Sequence, residues 1–168
     1  MRIGIDVDDT LVCTSESFNR VIKKYKVNFS KKFKDNWDKE EKDFIFKNYL
    51  KETLENARFK KYAKEVLKKL SSMGNEIIII TARNEKHCEG VEEMTKCLMK
   101  KNNINVSEYY FGEFTKSDIA KKINIDLMID DNSNVCNNMQ KEGIDCILFE
   151  GEIKNWNEVF EYIKQKEE

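Results

Sequence analysis

Proline is absent from this chain and histidine occurs once, at His87. Without a second imidazole there is no histidine dyad and no histidine-based metal cluster, and His87 is expected on the surface. No apolar run approaches the roughly 20 residues that cross a bilayer as a helix, so no membrane partner is expected. The chain enters an apolar strand at once, without a leader's pattern of charge, long apolar stretch and cleavage site, and a cytoplasmic location is expected. The five cysteines (Cys13, Cys88, Cys97, Cys136, Cys146) are odd in number, scattered and free of any C-x-x-C. Neither a disulfide framework nor a thiolate zinc site is indicated, and all are expected as reduced thiols. An excess of one charge is also missing. Thirty Lys and Arg stand against 31 Asp and Glu, a net charge of -1, which argues against a nucleic acid polymer bound through a broad basic field.

What is present starts with Ile3-Gly4-Ile5-Asp6-Val7-Asp8-Asp9-Thr10-Leu11, an apolar run that ends in three carboxylates and a hydroxyl. Like charges this close either raise each other's pKa or recruit a cation, and acid-only ligands suit a hard ion such as Mg²⁺. Helical spacing of Phe18, Val21, Ile22 and Tyr25 predicts a helix over 15–26. Residues 28–56 are polar and aromatic-rich, with no alternation, and two or three helices forming a small lobe are expected there. From Tyr62 onward strands and helices alternate. A helix stops at Gly74, and Ile77-Ile78-Ile79-Ile80-Thr81 reads as a strand buried on both faces. A helix is predicted over 85–101, a strand over 108–111 and a short helix over 117–122. The strand Asp126-Leu127-Met128-Ile129 then ends in Asp130 and Asp131. A helix, a strand over 146–149 and a closing helix carrying Trp156, Val159, Phe160 and Ile163 complete the chain. This order predicts an α/β fold, a Rossmann-like parallel sheet with helices on both faces. At 168 residues it allows one core with a small insertion.

In open α/β sheets ligands sit beyond the carboxyl ends of the strands. Those ends carry Asp6 with Asp8, then Thr81, then Asp130 with Asp131. Helix capping explains single residues of this kind but not doubled acids at two strand ends.

These residues resemble the haloacid dehalogenase-like (HAD) superfamily of hydrolases, whose first motif, D-x-D-x-T/V after a strand, is matched by Asp6-Val7-Asp8-Asp9-Thr10. Thr81 stands where the second motif has Ser or Thr, Lys116 opens a helix as in the third, and Asp130-Asp131 resembles the fourth. Within the superfamily, Ile80-Thr81-Ala82-Arg83 and the short step from Lys116 to Asp130-Asp131 look like the 5'(3')-deoxyribonucleotidase type. The resemblance implies a core formed by residues 1–11 and 60–168, with residues 12–59 as a helical cap. It implies an Mg²⁺-dependent phosphatase in which Asp6 attacks phosphorus to form an aspartyl phosphate and Asp8 passes the proton to the leaving group. Mg²⁺ would be held by Asp6, the Asp8 carbonyl and Asp131, with Asp130 beside it.

Thr10, Thr81 and Lys116 would meet the phosphoryl oxygens. Arg83 would reach a phosphate or the cap, or pair with an acid. The implied substrate is a small phosphorylated metabolite, foremost a nucleotide 5'- or 3'-monophosphate, with a sugar phosphate as the alternative. Cap aromatics such as Phe18 and Phe44 could stack on it, and a homo-oligomer is compatible with the sequence. A phospho-receiver module fits the order poorly, since no strand ending in Asp lies between the first acids and Thr81. A noncatalytic relative would have little use for so costly a carboxylate cluster.

Overall fold

The structure, a computed structural model, describes residues 1–26 and 38–168. Five strands, β1 (Arg2–Ile5), β2 (Glu76–Thr81), β3 (Glu108–Phe111), β4 (Leu127–Asp130) and β5 (Asp145–Leu148), pair in parallel in the order β3-β2-β1-β4-β5. The helices among the described residues are α1 (Thr14–Tyr25), α2 (Lys39–Glu55), α3 (Ala63–Ser72), α4 (Val91–Lys101), α5 (Lys116–Lys122), α6 (Ser133–Lys141) and α7 (Trp156–Glu167). The predicted α/β fold is thus the observed one.

Strand alternation divides the core between two faces. Ile3, Ile5, Ile77, Ile79, Leu127 and Ile129 pack with Leu67 and Leu70 of α3, Met99 of α4 and Trp156, Val159 and Ile163 of α7. Ile78, Ile80 and Met128 face the other way, onto Ala120 of α5 and Met139 of α6. Each fully buried isoleucine contributes about 1.5–3 kcal/mol of transfer free energy. A one-residue slip of β2 would exchange its two faces, so packing fixes its register. Gly4 lets the central strand fit: a Cβ there would lie 2.8 Å from Met128 Sδ and 3.0 Å from Ile80 Cδ1. Ile5 pairs with both Ile79 and Ile129, which brings the tips of β2, β1 and β4 level at the sheet edge that carries the acids.

A helical insertion follows β1. The chain leaves at Val12 and returns at Phe59, joined there by an antiparallel bridge. Cys13 N donates to Arg58 O at 2.8 Å and Lys60 N to Leu11 O at 2.9 Å. Between these points Phe18 of α1 and Ile45, Leu50 and Leu54 of α2 cluster with Cys88 and Val91 from the far side of β2. α2 is one helix, opened by a reciprocal cap in which Asp38 accepts from Glu41 N and Glu41 accepts from Asp38 N. The expected helical content of residues 27–37, with Phe29, Phe33 and Trp37, lies outside the described residues.

Two expectations are corrected. The helix predicted from Glu85 begins at Val91, because the Glu85 carboxylate accepts from Gly90 N (2.6 Å) and Glu92 N (3.0 Å) and holds a turn there, with Gly90 at φ 79°. Cys136 and Cys146 form a disulfide rather than two thiols. They are far apart in motif terms, but α6 packs back against β5 and brings their Cα atoms to 5.2 Å. Cys13, Cys88 and Cys97 are free thiols. Among the described residues no helix is long and apolar enough to cross a membrane.

Candidate active site

Asp6 is the first residue beyond β1, and its N–H still donates to Ile129 O of β4 at 3.0 Å. The carboxylate is therefore delivered, buried, to the gap between the two central strand tips. Lys116, the first residue of α5, places Nζ 2.6 Å from Asp6 Oδ1 and 2.7 Å from Asp130 Oδ2. Burial pushes the Asp6 carboxyl up to about 7; Lys116 opposes the rise, and Asp130 and Asp8 add to it. Burial pulls the Lys116 ammonium down, but Asp6 and Asp130 outweigh it and hold it above its usual value. Asp131 is also raised, first by burial and then by Asp130.

Carboxylate oxygens of Asp6, Asp130 and Asp131 lie within 4.8 Å of one another. Among the described residues, these three carboxylates stand against one ammonium, that of Lys116, a surplus of two negative charges. An all-oxygen set with that surplus fits a hard divalent cation such as Mg²⁺. Asp130 spends one oxygen on Lys116 and the other on Asn132 N at 2.9 Å. Among the described residues, Asp6 Oδ2 and Asp131 Oδ2 have no hydrogen-bond partner, so these two acids have ligand capacity to spare. A cleft of about 550 Å³ is lined by Asp6, Asp8, Lys116, Asp130 and Asp131, among others.

The remaining expected residues divide. Thr10 is fully buried and turned to Asp131: its hydroxyl donates to Oδ1 at 3.1 Å and accepts from Asp131 N at 3.0 Å. Trp156 Nε1 donates to the Thr10 carbonyl at 3.1 Å, so the buried start of α7 anchors the same loop. Thr81 is fully buried at the tip of β2, where its hydroxyl accepts from Arg83 N at 3.3 Å; the cleft wall beside it is Ala82.

Arg83 does not enter the cleft lining. Its Nε and Nη2 bond to Asp8 Oδ2 (3.0 Å) and Oδ1 (2.8 Å), and Nη1 bonds to Thr95 Oγ1 at 3.0 Å. Thr14, the first residue of α1, also donates to Asp8 Oδ1. Asp9 sits in the left-handed region at φ 61°, and its carboxylate accepts from Ser15 N at 2.7 Å. It turns the chain and ties it to the insertion.

Asp8 also lines a second cavity of about 430 Å³, walled by Phe18, Phe46, Leu50, Leu54 and Val91, with Lys42, Asn84, His87 and Glu113 among its polar groups. His87 is half exposed and pairs with Glu113 at 2.7 Å. Phe18 belongs to this wall, but Phe44 is 48% exposed and stacks edge-on against Tyr49, while Phe46 takes the position expected of it. Sequence reasoning missed Phe46, Thr14, Thr95 and Trp156. In Phe44-Ile45-Phe46 the residue that turns inward depends on how α2 sits, and the sequence carries no signal for that. Thr14, four residues after the end of the first motif, is the one with a positional clue.

No protein-family model matches the chain, and no curated protein matches it by sequence. Solved structures do match. A predicted phosphatase from Clostridium acetobutylicum superposes with a TM-score of 0.69 at 15% identity, covering 98% of each chain. A HAD-superfamily hydrolase from Ehrlichia chaffeensis gives 0.61 at 17% identity, over 99% of this chain and 97% of that one. The D,D-heptose 1.7-bisphosphate phosphatase of B. bronchiseptica, in complex with magnesium and phosphate, gives 0.60 at 9% identity over 99% of each. What they share with this chain is the fold.

Proposed function

We propose, from the HAD-superfamily hydrolase fold of this chain, that it is an Mg²⁺-dependent phosphomonoesterase acting on small substrates, foremost nucleoside or deoxynucleoside monophosphates. The observation that carries this is the pairing of two unlike cavities at Asp8. One is a carboxylate cleft two negative charges in surplus, the other an apolar space large enough for a flat leaving group. A related fold holding magnesium and phosphate supports the same ligands here.

Asp6, Asp131 and the Asp8 carbonyl would hold Mg²⁺, with Asp130 beside them. The ion supplies charge neutralisation for the acids and the incoming phosphate. Asp6 attacks phosphorus in line, forming an aspartyl phosphate as the bond to the leaving oxygen breaks. Asp8 gives its proton to that oxygen and then takes one from the water that attacks the aspartyl phosphate, releasing phosphate and restoring Asp6. Lys116 faces the phosphoryl oxygens while restraining Asp6, and preorganised charge of this kind is a large part of phosphoryl-transfer catalysis. Thr81, buried behind Ala82, would act from outside the cleft by holding the Arg83 backbone. Thr10 acts one step back, by fixing Asp131. Helices α1 and α2 of the insertion would cover the leaving group, and the apolar walls favour a nucleoside over a bare sugar.

Phosphate release from a panel of 5'- and 3'-nucleotides and sugar phosphates, with Mg²⁺ and with a chelator, tests the proposal. Expected are Mg²⁺-dependent release, nucleotides ahead of sugar phosphates, and a loss of about 10³-fold or more in Asp6→Asn. An Asp6→Asn protein with undiminished turnover would sink the mechanism.

A further inference from the structure

Arg83 is a buried cation, its side chain only 3% exposed, with three of its guanidinium nitrogens bonded to protein atoms. A phosphate in the carboxylate cleft would find no face of it to bind. We propose instead that Arg83 is a positioning residue for Asp8. It fixes the plane of that carboxylate so that the proton is delivered at the boundary between the two cavities, where the bond to the leaving oxygen breaks. This rests on the phosphomonoesterase function and on Asp8 as the proton carrier.

Geometry carries the inference. A carboxylate turns freely about its last torsion, which is broad and two-fold. The planar fork of an arginine, bonded to both oxygens at once, removes that freedom where a lysine cannot. The fork here bonds both Asp8 oxygens, at 3.0 and 2.8 Å. Arg83 is itself held from both ends. Its N–H donates to Thr81 Oγ1 at 3.3 Å, and Nη1 to Thr95 of α4, whose hydroxyl in turn donates to Val91 O at 2.7 Å. The acid on the β1 loop is thereby referenced to β2 and α4, elements of the sheet core. From the insertion, Thr14 donates to the same carboxylate. Asp8 remains 30% exposed and lines both cavities.

A residue that places a proton donor matters in proportion to how much the leaving group needs the proton. p-Nitrophenyl phosphate and benzyl phosphate are similar in size, but the nitrophenolate departs unaided and the benzyl alkoxide does not. kcat/KM for both is measured in wild type, Asp8→Asn, Arg83→Lys, Thr95→Val and the Asp8→Asn/Arg83→Lys double variant, together with inhibition by inorganic phosphate. Wild type is expected to cleave both. Asp8→Asn should lose ~10²- to 10⁴-fold on benzyl phosphate and at most ~10-fold on the aryl ester. Arg83→Lys should lose about 10-fold or more on benzyl phosphate and within about 3-fold on the aryl ester, with phosphate inhibition unchanged, and should add nothing to Asp8→Asn in the double variant. Thr95→Val, which removes one hydrogen bond, should move in the same direction by about 2- to 5-fold and decides the matter if Arg83→Lys does not fold. Equal losses on both esters overturn the proposal: with weakened phosphate inhibition Arg83 is a phosphate contact, and with unchanged inhibition it is a structural residue. If wild type cleaves neither ester, the phosphomonoesterase function falls, and the positioning role with it.

Discussion

The two cavities that meet at Asp8 handle charge in opposite ways. In the strand-tip cleft one ammonium, that of Lys116, bonds Asp6 and Asp130, no cation among the described residues pairs with Asp131, and Asp6 is pushed up to about 7 by its burial. In the cavity under α2 Asp8 bonds Arg83 and His87 bonds Glu113, Lys42 is the further charged group of the lining among the described residues, and the apolar walls are Phe18, Phe46, Leu50, Leu54 and Val91. On the proposed function, the first region would be completed by a cation and a phosphate, and the second would accept an apolar shape. Chemistry common to many phosphate esters and selectivity among them would thus belong to different places, one at the sheet edge and one between the helical insertion and the segment that follows β2.

That division can be broken or sharpened by experiment. The largest effect is expected at Lys116. Lys116→Met removes the one cation that lines the cleft among the described residues and should lower kcat by ~10²- to 10³-fold, for nucleotides and for small phosphate esters alike. A loss confined to nucleotides would mean that the cleft also reads the leaving group.

The unbalanced acids should next show in the pH dependence of stability. Asp6 titrates near 3.8 when unperturbed and near 7 in the folded protein. Folding therefore favours its protonated form, so this contribution is complete below about pH 4 and is lost as pH rises through about 7. Asp131 shifts in the same direction, while the raised Lys116 stays charged across this window. Metal-free protein should lose ~1–3 kcal/mol of stability between about pH 4 and 8 that Asp6→Asn does not lose. Added Mg²⁺ should restore it at the upper end by binding the folded state. Chemical denaturation with and without chelator measures this, and a wild-type curve parallel to that of Asp6→Asn would refute it.

The smallest effect belongs to the apolar cavity. Phe46→Ala should raise KM for a nucleotide about 3- to 10-fold with kcat nearly unchanged, while leaving the smallest phosphate esters untouched. An equal rise for every ester would erase the distinction between the two regions.

The same contrast explains what the sequence disclosed. The strand-tip cleft was legible because its acids lie directly beyond β-branched runs, at positions that a parallel sheet must bring to one edge, and Lys116 opens the helix that precedes the last strand-end acids. Pairings within the site were less legible. Arg83 lies close along the chain to Thr81 yet bonds Asp8, and Thr10 lies next to the first motif yet bonds Asp131; both choices depend on loop geometry. Asp9 gained a role only from its positive φ and its bond to Ser15 N. In the insertion, three consecutive apolar residues left Phe44 and Phe46 equivalent until α2 was seated. The Cys136–Cys146 disulfide follows from the packing of α6 on β5, which spacing alone does not reveal.

The central claim is that Asp6 carries the phosphoryl group while Asp8 manages protons. Asp8→Asn protein mixed with p-nitrophenyl phosphate and Mg²⁺, quenched in acid and digested, should carry one phosphoryl mass on the peptide containing Asp6, because loss of the base slows the second step more than the first. Wild-type turnover with no such adduct in either protein, or an adduct on Asp130 or Asp131, would contradict it.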